Sequence, residues 1–480
     1  AVGVFSRRQA QYGSSFPSYE ENWVGRAAYN YDQKYIFETS IAHTGSEKFA
    51  PGMRYGTFPS LSAGWVLTEE DFMKQSAPWM NYLKVRGSWG MVGSDAGIPR
   101  WQYISEFTEG GGTAGFGYPM TYYPSISEGV IPNPDATWEE AVKRNIGIET
   151  GFLKNQITVV VDLYNESRTG ILQSRRSVPS WVGVSSIYGN LGETKAHGME
   201  IDLGINKTFL NGMFFRVRGI LNANESRVVF YDESSTVPEH LKAEGKPVGL
   251  AQRMNYYTPT AGVQNIGFYQ NFDELFMYPL ASGPAPIVGD FRYLDYNGDG
   301  TVNSQDRVVS THPYVPEMTW STSFEVGYKR LSLRANIYGI SSAQFPMRQG
   351  GMFYLYPFTQ NKDNAYLIHE DHWTPENTDP LFPAVHSMAT NQYNYQINSF
   401  SVLEAKYTRL RNISLNYQFD DNRVLNAIGA QTATFTVTGT NLITWTPFIL
   451  GGDPEGFNSG VDFGAYPMMK RFNFEIRLTF

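Results

Sequence analysis

The closing stretch Arg471-Phe-Asn-Phe-Glu-Ile-Arg-Leu-Thr-Phe480 decides the fold. In it Phe472, Phe474, Ile476, Leu478 and Phe480 alternate with Arg471, Asn473, Glu475, Arg477 and Thr479. Successive side chains of a strand point to opposite faces, so a period of two makes one apolar and one polar face. A helix would instead group its apolar residues at three- and four-residue spacing. The same period recurs upstream. Leu83, Val85, Gly87, Trp89 and Met91 alternate with Lys84, Arg86 and Ser88, and Ile157, Val159, Val161 and Leu163 enclose Thr158 and Asp162. Met199, Ile201, Leu203 and Ile205 alternate with Glu200, Asp202 and Asn206, while Phe435, Val437 and Ile443 face away from a ladder of Thr434, Thr436, Thr438 and Thr440.

This period predicts about thirteen strands. They lie near 23–31, 35–45, 54–67, 79–92, 138–153, 156–172, 194–208, 212–231, 317–329, 331–342, 404–419, 431–445 and 467–480. The connections between them alternate in length. Short ones fall at Asp32-Gln33-Lys34, Lys154-Asn155, Leu210-Asn211-Gly212 and Lys329-Arg330. Long ones run over 93–137, 232–316 and 343–403, with smaller ones at 173–193 and 446–466. All short turns therefore fall at one end of the sheet and all long loops at the other. A β-sandwich or propeller has no reason to sort its loops so. A transmembrane antiparallel β-barrel does, with short periplasmic turns, long extracellular loops, an apolar face toward lipid and a polar face toward the lumen. Closure is obligatory in lipid, because an open edge leaves backbone groups without partners. A final amphipathic strand ending in Phe480 also has the form of an outer-membrane insertion signal.

Composition agrees. In 480 residues the net charge is −8, charged residues are only 18%, aromatic residues reach 15% and cysteine is absent. Zero Cys excludes a disulfide scaffold, a thiolate metal site and a cysteine nucleophile. The acidic balance argues against a nucleic-acid partner. No apolar run of about 18 residues exists to form a membrane helix. The odd strand count, set against the even counts of single-chain bacterial barrels, and a start, Ala1-Val-Gly-Val-Phe5, without signal-peptide features, lead us to expect residues 1–480 to be the C-terminal portion of a larger barrel.

Seven segments carry a family resemblance. They are Phe58-Pro-Ser-Leu-Ser-Ala-Gly-Trp65, Leu83-Lys-Val-Arg-Gly-Ser-Trp-Gly-Met-Val-Gly-Ser94, Asn133-Pro-Asp-Ala-Thr-Trp-Glu-Glu140 and Asn190-Leu-Gly-Glu-Thr-Lys-Ala-His-Gly-Met-Glu200. Tyr293-Leu-Asp-Tyr-Asn-Gly-Asp-Gly300, Trp373-Thr-Pro-Glu-Asn-Thr378 and Leu410-Arg-Asn-Ile-Ser-Leu-Asn-Tyr-Gln-Phe419 complete the set. In this order they resemble the C-terminal half of the SusC/RagA-type TonB-dependent transporters of the Bacteroidetes outer membrane. The resemblance implies a plugged barrel of about 22 strands, a SusD-like surface lipoprotein capping the extracellular mouth, and energy from the inner-membrane TonB–ExbB–ExbD complex. It implies contact with outer-membrane lipid and lipopolysaccharide, and no enzymatic activity. The expected function is active import of an oligomeric nutrient, a glycan oligosaccharide or a peptide; the alternative is a passive porin or surface-adhesion barrel. The plug, the TonB-interacting box and the N-terminal strands are expected to lie outside these residues.

The sharpest local motif lies in the 232–316 loop: Asp295-Tyr-Asn297-Gly-Asp299-Gly300-Thr301-Val-Asn303-Ser-Gln-Asp306. Oxygen-bearing side chains at positions 1, 3 and 5, Gly at 6 and an acid at 12 match the spacing of an EF-hand-type Ca²⁺ loop. The expected ligands are Asp295, Asn297, Asp299, the Thr301 carbonyl and Asp306, around a structural ion. Aromatic residues in two other outer loops, Phe345, Phe353, Tyr354 and Tyr356 in one and Trp101 and Tyr122 in the other, are candidates for substrate or lid contact. The competing reading for them is packing within the loops. His369-Glu-Asp-His372 lacks the helical spacing of a zinc protease, Gly110-Gly-Gly112 is not followed by Gly-Lys-Ser/Thr, and no Gly-x-Ser-x-Gly occurs. Glu200, Asp202 and Glu475, with Arg216, Arg218 and Arg477, are expected to line the lumen rather than to form an acid/base pair.

Overall fold

The computed structural model describes residues 1–13, 15–179, 181, 187–248, 261–281, 285–309, 313, 315–346, 365–385, 393–394, 398–419, 422–427, 429–447, 453–455 and 468–480. Among them, fourteen strands form one antiparallel sheet in unbroken chain order. They are β1 Val2–Ala10, β2 Ser18–Tyr31, β3 Tyr35–Ser46, β4 Tyr55–Val66, β5 Met80–Ser94, β6 Glu139–Phe152 and β7 Ile157–Ser174. After these come β8 Tyr188–Thr208, β9 Met213–Phe230, β10 Met318–Tyr328, β11 Leu331–Ile340, β12 Tyr407–Phe419, β13 Thr432–Trp445 and β14 Arg471–Thr479. No helix among the described residues is long and apolar enough to cross a membrane. The all-β class and the barrel-type sheet expected from the period are therefore what the chain forms.

The strand absent from the sequence reading is β1. Its alternation breaks after Val4, where Phe5 is followed by Ser6, Arg7 and Arg8. Tertiary pairing supplies what the period lacks: Phe5 lies opposite Trp23, with ring centroids 4.3 Å apart. With β1 the count becomes even.

The chain divides into two compact units. In the first, residues 1–202 with 224–237 and 242–257, the connections at one end are 32–34, 67–79 and 153–156. Those at the other end are 11–17, 47–54, 95–138 and 175–187. In the second, residues 203–223, 238–241 and 258–480, connections 209–212, 329–330 and 420–431 alternate with 341–406 and 446–470. Two connections at the short end are longer than tight turns, because each carries a one-turn helix, Asp71–Ser76 and Asn422–Ala427. The tight turns reverse the chain with left-handed residues, among them Asp32 and Gln33 (φ 51° and 55°) and Gly212 (φ 83°). Such turns match the right-handed twist of the flanking strands.

The decisive observation is which face is covered. Register places Phe435 opposite Ile476 and Val437 opposite Phe474 on one face, with Thr436 opposite Glu475 on the other. Phe474 is 79% exposed, Phe472 and Ile476 both 66%, and Val437 42%. Ile41, Leu61, Trp89, Ile146 and Leu163 are exposed likewise. In water this face would cost about 25 cal/mol per Å² of apolar area; against hydrocarbon it costs nothing. The opposite face is bonded laterally: Ser414 Oγ and Thr438 Oγ1 lie 2.9 Å apart, and Thr436 Oγ1 donates to Asn416 Oδ1 at 2.9 Å.

Buried apolar clusters sit instead beyond the faces of the sheet: most at the outer strand ends and in the outer loops, and a small one, Leu425, Ala430 and Ala433, at the 420–431 connection. In the first unit Phe49, Phe58, Ile98, Ala136, Trp138 and Leu172 pack together, tying loops 47–54 and 95–138 to the sheet. A Cβ at Gly56 or Gly93 would lie inside the Phe58 ring, so both glycines serve this packing. In the second unit Phe268, Tyr269, Phe291, Tyr293, Val302, Phe382 and Tyr393 form a core shared by two outer loops.

Candidate functional site: polar wall, outer loops and a rim cleft

The polar face carries ion pairs across neighbouring strands. In the first unit Arg86 of β5 reaches Glu149 Oε1 at 2.8 Å, Asp162 Oδ2 at 2.7 Å and Asn145 Oδ1 at 3.1 Å, and Lys84 stands 3.3 Å from Glu149. Arg168 joins Glu139 at 2.6 Å and Glu166 at 2.8 Å. In the second unit Glu325 takes Arg216 at 3.4 Å and Arg334 at 3.3 Å. Of the residues expected to line the lumen, Arg216 thus pairs with Glu325, and Arg477 pairs along its own strand with Glu475 at 2.8 Å. These charges balance one another across a wall.

The outer loops of the second unit are folded by their own side chains. Asp290, 1% exposed, accepts from Ile287 N and Asn394 Nδ2, both at 2.8 Å, and Asn394 Oδ1 accepts from Phe291 N at 3.1 Å. Burial pushes the Tyr393 hydroxyl well above the ordinary phenol range and raises that of Tyr269 as well. His369 is buried, and its Nδ1 accepts from Tyr366 N at 3.1 Å; His372 Nδ1 lies 2.8 Å from His369 O. Backbone bonds thus occupy one nitrogen of each ring.

In the Asp295–Asp306 loop, side-chain oxygens accept backbone N–H groups in series. Asp295 takes Gly298 and Gly300, both at 2.8 Å; Asn297 takes Asp299 at 2.8 Å, and Asp299 takes Thr301 at 2.9 Å. Asp306, fully buried, takes Tyr296 at 3.0 Å, Asn297 at 3.1 Å and Asn303 at 2.7 Å. Gly298 and Gly300 have φ of 74° and 87°, the left-handed values that let the chain turn so tightly. Among the described residues no three Asp, Glu, His or Cys side chains gather closely enough to hold a metal by themselves. An ion here would need Asn297 and the Thr301 carbonyl as well.

The aromatic candidates separate. Trp101 lines a cleft of about 380 Å³ at the outer end of β1–β4, with Tyr19, Glu20, Arg54, Tyr55 and Tyr103. Tyr122 stands apart from that cleft, 65% exposed on strand 121–128, which pairs with 107–116. Phe345 lies in a short strand opposite Leu403. Phe353, Tyr354 and Tyr356 lie outside the described residues.

One cluster escaped sequence reasoning. Arg409 of β12, 2% exposed, donates to Thr444 Oγ1 at 2.9 Å, Glu455 Oε2 at 2.5 Å and Asp453 Oδ1 at 2.7 Å, and Arg411 also bonds Glu455. Burial works against charge on Asp453. The Arg409 hydrogen bond and the N–H groups of Glu455 and Met468 outweigh it and hold the carboxyl below its usual range. The only sequence signal is that Arg409 and Arg411 sit two apart on a strand, with acids in the loop that follows.

A family model described as TonB dependent receptor-like, beta-barrel matches residues 7–340. The chain belongs to this family. The seven segments led us to expect the SusC/RagA type, and proteins of that type are among those the chain is similar to. TonB-dependent receptor P26 of Formosa agariphila is 25% identical over 476 residues, covering 96% of this chain and 46% of that protein. SusC of Bacteroides thetaiotaomicron is 26% identical over 482 residues, covering 96% of this chain and 43% of that protein. The RagAB peptide importer in its open-open state shares the fold, with a TM-score of 0.73 at 18% identity over 98% of this chain and 48% of that one. The chain therefore spans about half the length of the curated relatives it matches. TonB-dependent barrels of this type are outer-membrane proteins, and the exposed apolar face puts this chain in the same place.

Proposed function

We propose that this chain forms the wall and outer mouth of an active outer-membrane importer for an oligomeric nutrient, a glycan oligosaccharide or a peptide. Its partners are a SusD-like surface lipoprotein at the mouth and TonB–ExbB–ExbD, reached through segments beyond these residues. The observation that supports this best is the division of the sheet, with bare apolar side chains on one face and cross-strand ion pairs on the other. A polar wall in a family of TonB-dependent receptors suits a hydrophilic cargo, and the folded outer loops offer a preformed surface at its entrance. The chain works as a conduit, not as an enzyme. Purification of the whole protein from its native membrane tests the partner, and uptake in cells lacking TonB tests the energy source. Normal uptake without TonB, with no lipoprotein co-purifying, favours a passive porin or adhesion barrel instead.

For the outer loop we infer that Asp295, Asn297, Asp299, the Thr301 carbonyl and Asp306 hold a structural Ca²⁺. The support is the spacing and an all-oxygen donor set; Asp306 Oδ1 already accepts two N–H groups, so Asp306 would reach the ion through Oδ2, which accepts one.

A further inference from the structure

The bare face of the first unit carries one charge that its neighbours do not explain. Register along β5, β6 and β7 puts Val85, Ile148 and Val161 in one row and Gly87, Ile146 and Leu163 in the next. The row beyond holds Trp89, Arg144 and Asn165. Arg144 therefore stands on the apolar face, beside Ile146 and Leu163, which are 63% and 53% exposed. It is exposed as well, and it has no partner among the described residues.

Arginines of the opposite face of these strands are paired: Arg86 with Glu149 and Asp162, Arg168 with Glu139 and Glu166. Those acids cannot serve Arg144. Asp162 and Glu166 lie opposite Gly147 and Lys143, on the other side of the sheet. Glu140 does share the bare face, but it stands four residues along the strand (144 − 140 = 4), about 13 Å away.

Depth fixes which anions Arg144 can meet. The stacked Trp79 and Phe152 rings, 5.7 Å apart, mark the short-turn end of the apolar band. From Phe152 to Arg144 is eight residues (152 − 144 = 8), about 26 Å of strand. At a tilt near 40° this is roughly 20 Å of depth, against a band about 25 Å tall. The Arg144 backbone thus lies just inside the long-loop edge of the band, and its flexible stem lifts the guanidinium to the boundary. There a guanidinium meets lipid phosphate and can take it with two parallel N–H···O bonds.

The same row adds donors and no acid. The Trp89 indole N–H and the Asn165 amide have no partner among the described residues, and Trp89, 39% exposed, is a ring with one wet end at an interface. A second unpaired cation follows two strands along. Lys195 of β8 is exposed and shares the alternation of Met199 and Ile201. Glu193, two residues from it, makes no pair with it, and Glu225 is taken by His197 at 3.7 Å and Arg227 at 2.5 Å. β8 adjoins β7, so β6 and β8 lie about 10 Å apart, within the span of one headgroup.

We infer that this row is a binding site for a phosphorylated lipid of the outer leaflet, the anchor of lipopolysaccharide. Arg144 takes the phosphate, Trp89 and Asn165 donate beside it, and the acyl chains lie along Ile146, Ile148, Val161 and Leu163. The assignment rests on the bare face meeting lipid and on the long loops being extracellular; it is independent of the cargo.

The test is native mass spectrometry of the full-length protein in detergent, incubated with monophosphoryl lipid A or with the same lipid A after dephosphorylation. Heat-modifiable gel migration checks that each variant is folded, and the exposed position makes the substitutions neutral to folding. The wild type is expected to retain the phosphorylated lipid and release the other. Arg144→Gln should lower that retention about tenfold, and Arg144→Lys by less. Lys143→Gln, the adjacent cation on the polar face, should leave it unchanged. Equal retention of both lipids by the wild type, wild-type retention in folded Arg144→Gln, or an equal loss in Lys143→Gln overturns the assignment. Displacement of the lipid by inorganic phosphate overturns it in favour of the free anion. An acidic protein that co-purifies with the wild type in place of lipid, and is lost in Arg144→Gln, overturns it in favour of a protein contact.

Discussion

Replacing Arg409 by Ala should free the 446–470 loop while sparing the sheet. The wild-type guanidinium makes three bonds, to Thr444 at 2.9 Å, Glu455 at 2.5 Å and Asp453 at 2.7 Å, from a position 2% exposed. Breaking a buried pair by deleting one partner costs about 3–5 kcal/mol. The lower end applies, because Glu455 keeps Arg411 and Asp453 keeps the N–H groups of Glu455 and Met468. About 3 kcal/mol corresponds to roughly a hundredfold more frequent opening. Hydrogen exchange reads this directly at the Glu455 and Met468 amides, which bond Asp453 at 2.9 and 3.0 Å. Arg409→Lys keeps the charge but not the fork, and should fall between the two. Exchange at both amides within a factor of about three of wild type in Arg409→Ala would refute the idea that this arginine latches the loop. Loss of β12–β13 protection would show that it supports the sheet instead.

Three further outcomes follow from the same structure. Val437→Arg, on the bare face, should cost about 2–4 kcal/mol in refolding of the whole protein into lipid vesicles, and Thr436→Arg, one residue away on the wet face, far less; equal costs would reverse the face assignment. Chelator should raise protease cleavage within 232–316 in the wild type, and Asp299→Ala should remove that chelator dependence; cleavage indifferent to chelator in the wild type counts against an ion. Asp453 has a depressed folded pKa, so its contribution is present above the unfolded value of about 3.9 and disappears as pH falls through the folded one. Amide protection in 453–455 should therefore hold from neutral pH down to about 5 and collapse only in stronger acid; loss near neutrality would contradict the sign.

Much of the architecture was legible in the chain. A two-residue period in β14, β5 and β7, with alternating connection lengths, needs no tertiary information, because side-chain alternation is local and loop sorting follows from antiparallel order. Trp101 also stood out as a candidate, and the structure seats it in the cleft. The alternation did not reveal β1, since Phe5 breaks it and is held by Trp23 from the next strand. Nor did it distinguish Trp101 from Tyr122, because both are aromatic residues in one loop and only the left-handed backbone at Trp101 and the Arg100 guanidinium over its ring separate them.

What the sequence determined by itself was the period, hence the two faces, and the oxygen-rich turn at 295–306. Only the tertiary structure decided which face is bare, that two distant loops share the Phe291–Tyr393 core, and that Arg409 meets Asp453 and Glu455. The division has a physical cause. Strand alternation and turn chemistry act between neighbours a few residues apart. Burial, ion pairing and cleft shape arise between residues whose separation along the chain carries no information about their separation in space.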